Sequence, residues 1–546
     1  MNARFARPIA LSGPMGTGKT TVGRALAGRV GGRFVDLDAE IERAEGCSIA
    51  ELFAEDGEAR FRDLEAHAID RVLRDLGSNE GDTQLVIALG GGAVTRAETR
   101  RKLLHRAIVV TLRAPPASIV ARLGVAGLAR RPLLRASADP IASLTQLTSA
   151  RADAYAEAHA QLDTDGREVD DVAQELEALW ARDPVAVPLG ARTYRVEASS
   201  GALTQLPAAI DALAPTALLL VTDDRVWPAV SARIEPALAR ATSARVPYAR
   251  VILPSGEVHK TLAAVERIWD ASLEGRLDRR AVIVAIGGGV VGDVAGFAAA
   301  TLLRGVRVVQ VPTTLLAMVD ASVGGKTAID RPQGKNLIGA FHQPSAVIAD
   351  VSLLDTLPSR ELRSGLAEAV KTGLIGDVAL FEAIERDAEL LAMGPVDAAS
   401  ARALSSIVRA SIAHKARVVG EDERDESGAR AALNFGHTVG HALEAHGGYS
   451  SLTHGEAVGL GMIAALKVGV ARGVTDARLV DRLVRLLARL GLPHALDEVD
   501  VAGALPFVLA DKKREGGKLS FVLVPEVGRS CIERIEHAEL RRLVAG

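Results

Sequence analysis

Short apolar runs that end in glycine-rich turns recur along the first two-thirds of the chain. IALSGPMGTGKT (9–20), LVIALGGG (85–92) and AVIVAIGGG (281–289) each precede helix-like sequence. An unbroken β-branched run bounded by glycine is the pattern of a strand covered on both faces, and strand, glycine turn and helix in succession make a parallel βα unit. Further candidate strands stand at 217–222 (ALLLVT), 306–311 (VRVVQV) and 346–350 (AVIAD). Residues 167–182 read as a helix, after which DPVAVPLGAR (183–192) interrupts the pattern with two prolines and a glycine. Residues 1–184 are therefore expected to form one α/β domain, 185–192 a linker and 193–352 a second α/β part. Beyond 353, stretches rich in Ala, Leu, Glu and Arg predict a mostly α-helical segment through 546.

Composition narrows the partners. The 546 residues carry a net charge of −3, with 48% hydrophobic, 24% charged and only 3% aromatic residues. No broad basic field and no stacking surface exist for nucleic acid, so small molecules are the expected partners and anions must be held by local Arg and Lys clusters. No run approaches about 20 uninterrupted apolar residues, so no membrane association is expected. MNARFARPIALSG reaches a glycine loop before any signal-like stretch, and the two cysteines, Cys47 and Cys531, offer no paired spacing. A cytoplasmic protein is expected.

Gly13-Pro-Met-Gly-Thr-Gly-Lys-Thr20 fits G-x-x-x-x-G-K-[ST] between a short strand and the helix-like TTVGRALAGRV. In such a loop the backbone N–H groups of Gly16, Thr17, Gly18, Lys19, Thr20 and Thr21 converge on phosphate oxygens at a helix N-terminus. Lys19 neutralises the β/γ oxygens and the Thr20 hydroxyl ligates magnesium, which points to ATP–Mg²⁺. GGKT at 324–327 is not a second loop of this kind, because Asp320 stands where the first glycine would fall.

Downstream come Asp36-Leu-Asp38, GEARFR ending at Arg62, Gly90-Gly-Gly92, Arg130-Arg-Pro-Leu-Leu134 and Arg151-Ala-Asp-Ala-Tyr155. Set and order closely resemble the shikimate kinases over residues 5–180. The resemblance implies that Asp38 holds the shikimate hydroxyls and acts near the accepting oxygen, that Arg62 and Arg151 bind its carboxylate, and that Gly91 and Gly92 approach the ring through backbone. It further implies that Arg131 descends with a lid onto the transferring phosphate and that Asp36 supports Mg²⁺. Arg130 is adjacent and could exchange with Arg131, and Asp153 stands where the family often has proline.

GGGVVGD (287–293) matches G-x-G-x-x-G after a strand, yet VRVVQV runs into Pro312-Thr313-Thr314 without the ribose-binding acid of the standard dinucleotide fold. If NAD⁺ binds there, its adenosine must use other residues, for which Asp223, Asp224, Glu257 and Lys260 are the candidates. Four histidines (437, 441, 446 and 454) fall within eighteen positions. His437 and His441 are four apart on one helix face, as two metal ligands could be, with His454 or Glu368 available to complete the set. H-T-V-G-H lacks the glutamate of zinc peptidases, so peptide hydrolysis is not favoured. His446, beside two glycines, is expected to cap its helix.

GEVHK, GGGVVGDVAGFAAAT, VPTTLLAMVDASVGGKTAID, GKNLIGAFHQP, LPSRELRSGLAEAVKTG, LNFGHTVGHALE and LTHGEAVGLGM, in that order across about 190–530, resemble the 3-dehydroquinate synthases. The resemblance implies Zn²⁺ or another divalent cation on Glu368, His437 and His454, with His441 handling substrate and proton. It implies NAD⁺ on Glu257, Lys260, Gly289, Val290, Val291, Gly292, Asp293, Thr313, Thr314, Lys326, Lys335 and Thr356. Substrate phosphate would meet Lys326, Asn336, His441, Arg304 and Lys512 or Lys513; the carboxylate would meet Lys415 and Arg430; and Asp320 and Lys371 would lie near the hydroxyls. In that family Arg304 reaches in from a neighbouring subunit, which implies a homodimer.

The expectation is a P-loop kinase domain, a parallel sheet with flanking helices, fused to a Rossmann-like α/β NAD-binding part and a mostly α-helical metal-binding part. It would phosphorylate shikimate, and would convert 3-deoxy-D-arabino-heptulosonate 7-phosphate to 3-dehydroquinate by oxidation, β-elimination of phosphate, reduction and aldol closure without net NADH. The alternative is a small-polyol kinase fused to a zinc-dependent polyol dehydrogenase or related sugar phosphate cyclase.

Overall fold

The computed structural model describes residues 5–545 apart from 76–83, 130, 132–133, 135–137, 242–245, 509–513 and 516–517. The chain divides into two compact units, Met1–Arg195 and Val196–Gly546. Val185–Val187, inside the stretch read as a linker, is a short strand with all three residues buried. Its flanking prolines delimit it, and its own apolar residues draw it inward.

In the first unit five parallel strands lie in the order Arg33–Asp36, Leu85–Ala88, Ile9–Ser12, Ile108–Arg113, Ala160–Asp163. Ile9–Ser12, Leu85–Ala88 and Ile108–Leu112 are entirely buried, as strands covered by helices on both faces must be. Helices Lys19–Val30 and Val169–Arg182 pack on one face with Phe5 stacked on Trp180, ring centroids 4.0 Å apart. Helix Gly57–Asp75 contributes Phe61, Ala68, Ile69, Val72 and Leu73 to the core on the other. Ile9–Ser12 has neighbours reached by connections running in opposite directions, so its C-terminal end opens on a crevice.

The second unit begins with parallel strands in the order Ala346–Asp350, Arg307–Pro312, Val282–Gly287, Leu218–Asp223, Tyr248–Leu253. By order of appearance that is 2-1-3-4-5 read from the far edge, with a switch point between Leu218–Asp223 and Val282–Gly287. The third glycine turn follows at this point. An antiparallel hairpin, Lys326–Arg331 with Gly334–Phe341, is inserted before the last strand. Helices Ser359–Gly376, Ala398–Glu421, His437–His446, His454–Ala471 and Ala477–Arg489 follow.

The segment expected to be helical also holds an antiparallel strand pair, Lys518–Glu526 with Arg529–Glu536. Leu519, Phe521, Leu523 and Val524 of this pair are buried, and the strand is anchored where the Thr475 hydroxyl donates to Val524 O at 2.8 Å. The helix His454–Ala471 is the one described helix long and apolar enough to cross a membrane, and 78% of it is buried inside the protein.

Candidate active sites

The glycine loop joins strand Ile9–Ser12 to helix Lys19–Val30. At Gly13, φ is 124° and a Cβ would lie 2.2 Å from Leu112 O, so only glycine fits. Gly16 and Gly18 also hold left-handed angles, 77° and 93°. The buried Thr17 hydroxyl donates to Pro14 O at 2.8 Å, tying the loop to itself, and Thr21 stands exposed on the first helical turn. Lys19 Nζ donates to the carbonyls of Gly13 and Pro14, at 2.8 and 2.9 Å. The Thr20 hydroxyl donates to Asp36 Oδ2 at 2.8 Å, pairing the two groups expected around magnesium. Burial pulls the Lys19 ammonium down to about 8, with Arg131 adding to the fall and Asp38 and Asp36 opposing it. A partly buried lysine hydrogen-bonded to neutral carbonyls has much to gain from a phosphate.

Asp38 begins the neighbouring helix, and its Oδ1 has no hydrogen-bond partner among the described residues. Burial raises its carboxyl above the usual range while Lys19 pulls it back. The 90–92 glycines press bare backbone onto the charged groups: a Cβ at Gly90 would lie 2.7 Å from Asp38 Oδ1 and 2.4 Å from Glu65 Oε1, and one at Gly92 2.2 Å from the Arg62 guanidinium. Arg62 pairs with Glu58 at 2.9 Å and with Glu65. Arg151 Nη1 and the Tyr155 hydroxyl both donate to Gly91 O, at 3.0 and 2.5 Å. Asp38, Arg62, Gly91, Gly92 and Arg151 are thus brought together, while Arg131 donates to Gly127 O at 2.7 Å. Arg130 lies outside the described residues.

Glu65, buried against Arg62 and Gly90, is a candidate that sequence reasoning missed. It is 1% exposed, and burial pushes its carboxyl up to about 7 although Arg62 opposes this. Its only signal is position, three residues after Arg62 on the same helix face.

In the second unit, close helix packing brings together the residues of a candidate metal site. A Cβ at Gly461 would lie 2.0 Å from Gly436 O and one at Gly455 1.9 Å from Ser364 O, so only glycine lets the three helices carrying His437, His454 and Glu368 approach this closely. The capping box of Thr453 and Glu456 starts helix His454–Ala471, and Glu456 also takes a fork from Arg360, at 2.7 and 2.6 Å. That fork ties the helix carrying His454 to the helix carrying Glu368.

Glu368 Oε1 faces His437 Nε2 at 3.6 Å and His454 Nε2 at 3.5 Å, and accepts no hydrogen bond among the described residues. Two ligands each about 2.1 Å from one cation at the tetrahedral angle stand roughly 3.4 Å apart. The three side chains therefore fit a divalent cation. Both histidines have the other ring nitrogen occupied, His437 Nδ1 by Phe435 O at 3.1 Å and His454 Nδ1 by Glu444 Oε2 at 3.2 Å, so each presents Nε2 as the atom that could bind a cation. His441 is exposed, its ring 5.1 Å from that of His437 and 5.9 Å from that of His454, outside this trio but beside it. His446 ends its helix with Nε2 3.3 Å from Asp500.

Lys371 reaches the trio itself, and other cations of the unit are likewise held by protein oxygens. Lys371 pairs with Glu368, Lys415 donates to Asp320 Oδ1 at 2.5 Å and to its carbonyl at 2.6 Å, Lys326 meets Asp425 at 2.6 Å, and buried Arg430 donates to Gly324 O at 3.3 Å. Burial would raise the Asp320 carboxyl, but Lys415 and Lys371 overcome it and hold it at about 2.

At the dinucleotide turn, helix Gly289–Thr301 starts directly after the strand, and Thr313 N–H donates to Gly287 O at 2.9 Å. Gly289, Val290, Val291, Gly292 and Asp293 form its first turn, with Thr314 against Gly288. Lys260 pairs with Asp293 at 2.6 Å and donates to Asn336 Oδ1 at 2.5 Å. Lys335 lies 3.7 Å from Glu257 and 3.3 Å from Glu444. Asp223 instead caps Arg225 and Val226, at 3.0 and 2.7 Å, and Asp224 accepts from Ser255 N–H at 3.1 Å. Arg304 and Thr356 stand exposed, the Thr356 hydroxyl donating to Leu353 O at 2.8 Å. Lys512 and Lys513 lie outside the described residues. Glu444 is the second residue missed; it falls two turns after His437 on the same helix face.

Comparison with known proteins gives three family matches: shikimate kinase over residues 15–180, the 3-dehydroquinate synthase N-terminal domain over 250–364 and its C-terminal domain over 365–514. The chain is 47% identical over 357 residues to a 3-dehydroquinate synthase of Bordetella pertussis, covering 65% of this chain and 96% of that one. It is 44% identical over 363 residues to the one of Thermosynechococcus vestitus, covering 66% and 97%. A structure of ValA, a 2-epi-5-epi-valiolone synthase from Streptomyces hygroscopicus with NAD⁺ and Zn²⁺ bound, is similar at a TM-score of 0.58 and 26% identity, covering 64% of this chain and 96% of that one.

Proposed function

The chain belongs to the 3-dehydroquinate synthase family and carries a shikimate kinase region ahead of it, and from that premise we propose how its residues divide the work of a bifunctional shikimate-pathway enzyme. One activity phosphorylates shikimate with ATP–Mg²⁺. The other converts 3-deoxy-D-arabino-heptulosonate 7-phosphate to 3-dehydroquinate and phosphate with NAD⁺ and a divalent cation. When bound, the dinucleotide supplies reversible hydride transfer and the cation polarises a substrate oxygen.

In the kinase region, Asp38 accepts from the shikimate hydroxyls, Arg62 and Arg151 fork its carboxylate, and Gly91 and Gly92 leave room for the ring. Lys19 and Arg131 neutralise the transferring phosphoryl group, with Thr20 and Asp36 at magnesium. In the synthase region, Glu368, His437 and His454 are the metal ligands. Lys326, Asn336, His441 and Arg304 meet the substrate phosphate, Lys415 and Arg430 its carboxylate, and Asp320 and Lys371 its hydroxyls. His441, one turn beyond a ligand and open to solvent, moves the proton. Glu257, Lys260, Asp293, Lys335 and the 289–293 turn hold the dinucleotide. We further assign a homodimer in which Arg304 serves the neighbouring subunit, and a cytoplasmic location in keeping with two free cysteines.

The observation that carries the synthase reading is the single carboxylate oxygen of Glu368 facing two imidazole Nε2 atoms. Two assays on the full chain test the division. Lys19→Ala is expected to reduce ATP-dependent shikimate phosphorylation to background with phosphate release from the heptulosonate intact, and His437→Ala to do the reverse. Loss of both activities in either variant would sink it.

A further inference from the structure

The carboxylate of Glu444 touches both halves of the synthase chemistry. It is 4% exposed at its side chain; Oε2 accepts from His454 Nδ1 at 3.2 Å and Oε1 lies 3.3 Å from Lys335 Nζ. Lys335 comes from the hairpin Gly334–Phe341, whose next residue, Asn336, contacts Lys260. Its ammonium also sits 4.4 Å over the Tyr449 ring and 3.7 Å from Glu257. Tyr449 in turn is fixed by its own N–H donating to the backbone carbonyl of Glu444 at 2.8 Å. Glu444 thus joins the helix His437–His446 to the hairpin.

We infer that Glu444 is a positioning residue that holds His454 with Nδ1 protonated and Nε2 turned to the cation, and that through Lys335 it couples cation binding to dinucleotide binding. This rests on the ligand and dinucleotide assignments proposed above. An imidazole ligand anchored at its far nitrogen loses no orientation when it binds, and a carboxylate anchor makes it the more basic donor. Lys335 is shared between that anchor and Glu257. A dinucleotide that draws Lys335 toward itself changes how strongly Glu444 grips His454, and linkage requires the cation to change dinucleotide affinity by the same factor.

Zn²⁺ affinity of the full chain, measured by competition with a chromophoric chelator with and without saturating NAD⁺, tests both parts. Glu444→Gln is expected to bind Zn²⁺ roughly 10- to 100-fold more weakly and to shift the visible spectrum of the Co²⁺-loaded protein. In the unaltered chain NAD⁺ is expected to change Zn²⁺ affinity about 5-fold or more, and in Glu444→Gln or Lys335→Met that dependence disappears. Lys335→Met retains Glu444 and every cation ligand, and assayed at an NAD⁺ concentration shown by titration to saturate it, it reads the coupling even if Glu444→Gln misfolds. Unchanged Zn²⁺ affinity and Co²⁺ spectrum in Glu444→Gln overturn the positioning role, and NAD⁺ dependence that is absent in the unaltered chain, or survives in Lys335→Met, overturns the coupling. His437→Ala separates the premise: if it binds Zn²⁺ normally the ligand assignment fails, whereas if it loses Zn²⁺ while Glu444→Gln does not, only the present inference fails.

Discussion

Lys19 of the kinase region rests on two carbonyl oxygens, whereas Lys260, Lys326, Lys371 and Lys415 of the synthase region each face a carboxylate. The hydrogen-bond partners of Lys19 are neutral, and burial lowers its ammonium to about 8 although Asp38 and Asp36 oppose the fall. In the synthase region, Glu368 and Asp320 more than offset the burial of Lys371 and keep it above the ordinary lysine value, as Asp293 and Glu257 do for Lys260. The proposed kinase site offers an ammonium held by neutral hydrogen-bond partners, whereas in the proposed synthase site the lysines face resident acids, although burial still lowers Lys415 beside Asp320. Charge that arrives with the ligand can be built into a loop, but charge that must persist beside a metal site needs its counter-ions inside the fold.

Removing one lysine from each site tests that contrast most severely. Lys371→Met strands a buried carboxylate and is expected to destabilise the cation-free synthase unit by about 3–5 kcal/mol. Lys19→Met breaks hydrogen bonds to two carbonyls and removes a cation that faces Asp38 without direct contact, so it should cost kinase-unit unfolding less than Lys371→Met costs the synthase unit, while eliminating turnover. Calorimetric unfolding of the full chain with both assays distinguishes them, and equal stability losses would end the distinction.

Next in size is a pH effect confined to the kinase region. The Glu65 carboxyl is raised from 4.5 to about 7, so the folded state favours its neutral form. The stability this contributes is full below about 4.5 and is lost as pH rises toward 7, by about 3 kcal/mol. Kinase-unit stability in Glu65→Gln is expected to vary less over that window, and an unchanged slope in thermal unfolding against pH would refute it.

Arg62→Lys keeps the charge but loses the planar fork. The shikimate KM is expected to rise roughly 10- to 100-fold, the worth of a charged hydrogen bond, with kcat changing less in steady-state kinetics. The smallest effect sits on the surface: Arg233 and Asp355 approach to 2.5 Å with side chains 40% and 42% exposed. Arg233→Ala is expected to cost under about 1 kcal/mol in denaturant unfolding, far below Lys371→Met although both break an ion pair.

The two sites were not equally legible. The phosphate loop spans eight consecutive residues and is built mostly of backbone, so spacing and glycines were enough to locate it, together with the strand and helix on either side. The strands at 218–223, 282–287, 307–312 and 346–350 were readable because each is a short run rich in aliphatic and β-branched residues. The strands Lys518–Glu526 and Arg529–Glu536 were not, because they lie at the end of a helix-rich stretch and their identity depends on pairing with each other. Among the histidines, spacing alone left His441 and His454 open as partners of His437. Glu65 and Glu444 carried no motif; each matters only for what burial places against it.

By itself the sequence determined what local physics can encode: apolar runs that must be strands, a glycine loop that can only cradle an anion, and enough family motifs to imply both activities. Which imidazole nitrogen faces Glu368, and which carboxylates hold Arg62 and Lys335, was decided by tertiary structure alone. The reason is that helix approach in the synthase region is set by contacts such as Gly461 against Gly436 and Gly455 against Ser364. Those contacts join residues far apart in the chain, and no local pattern records them.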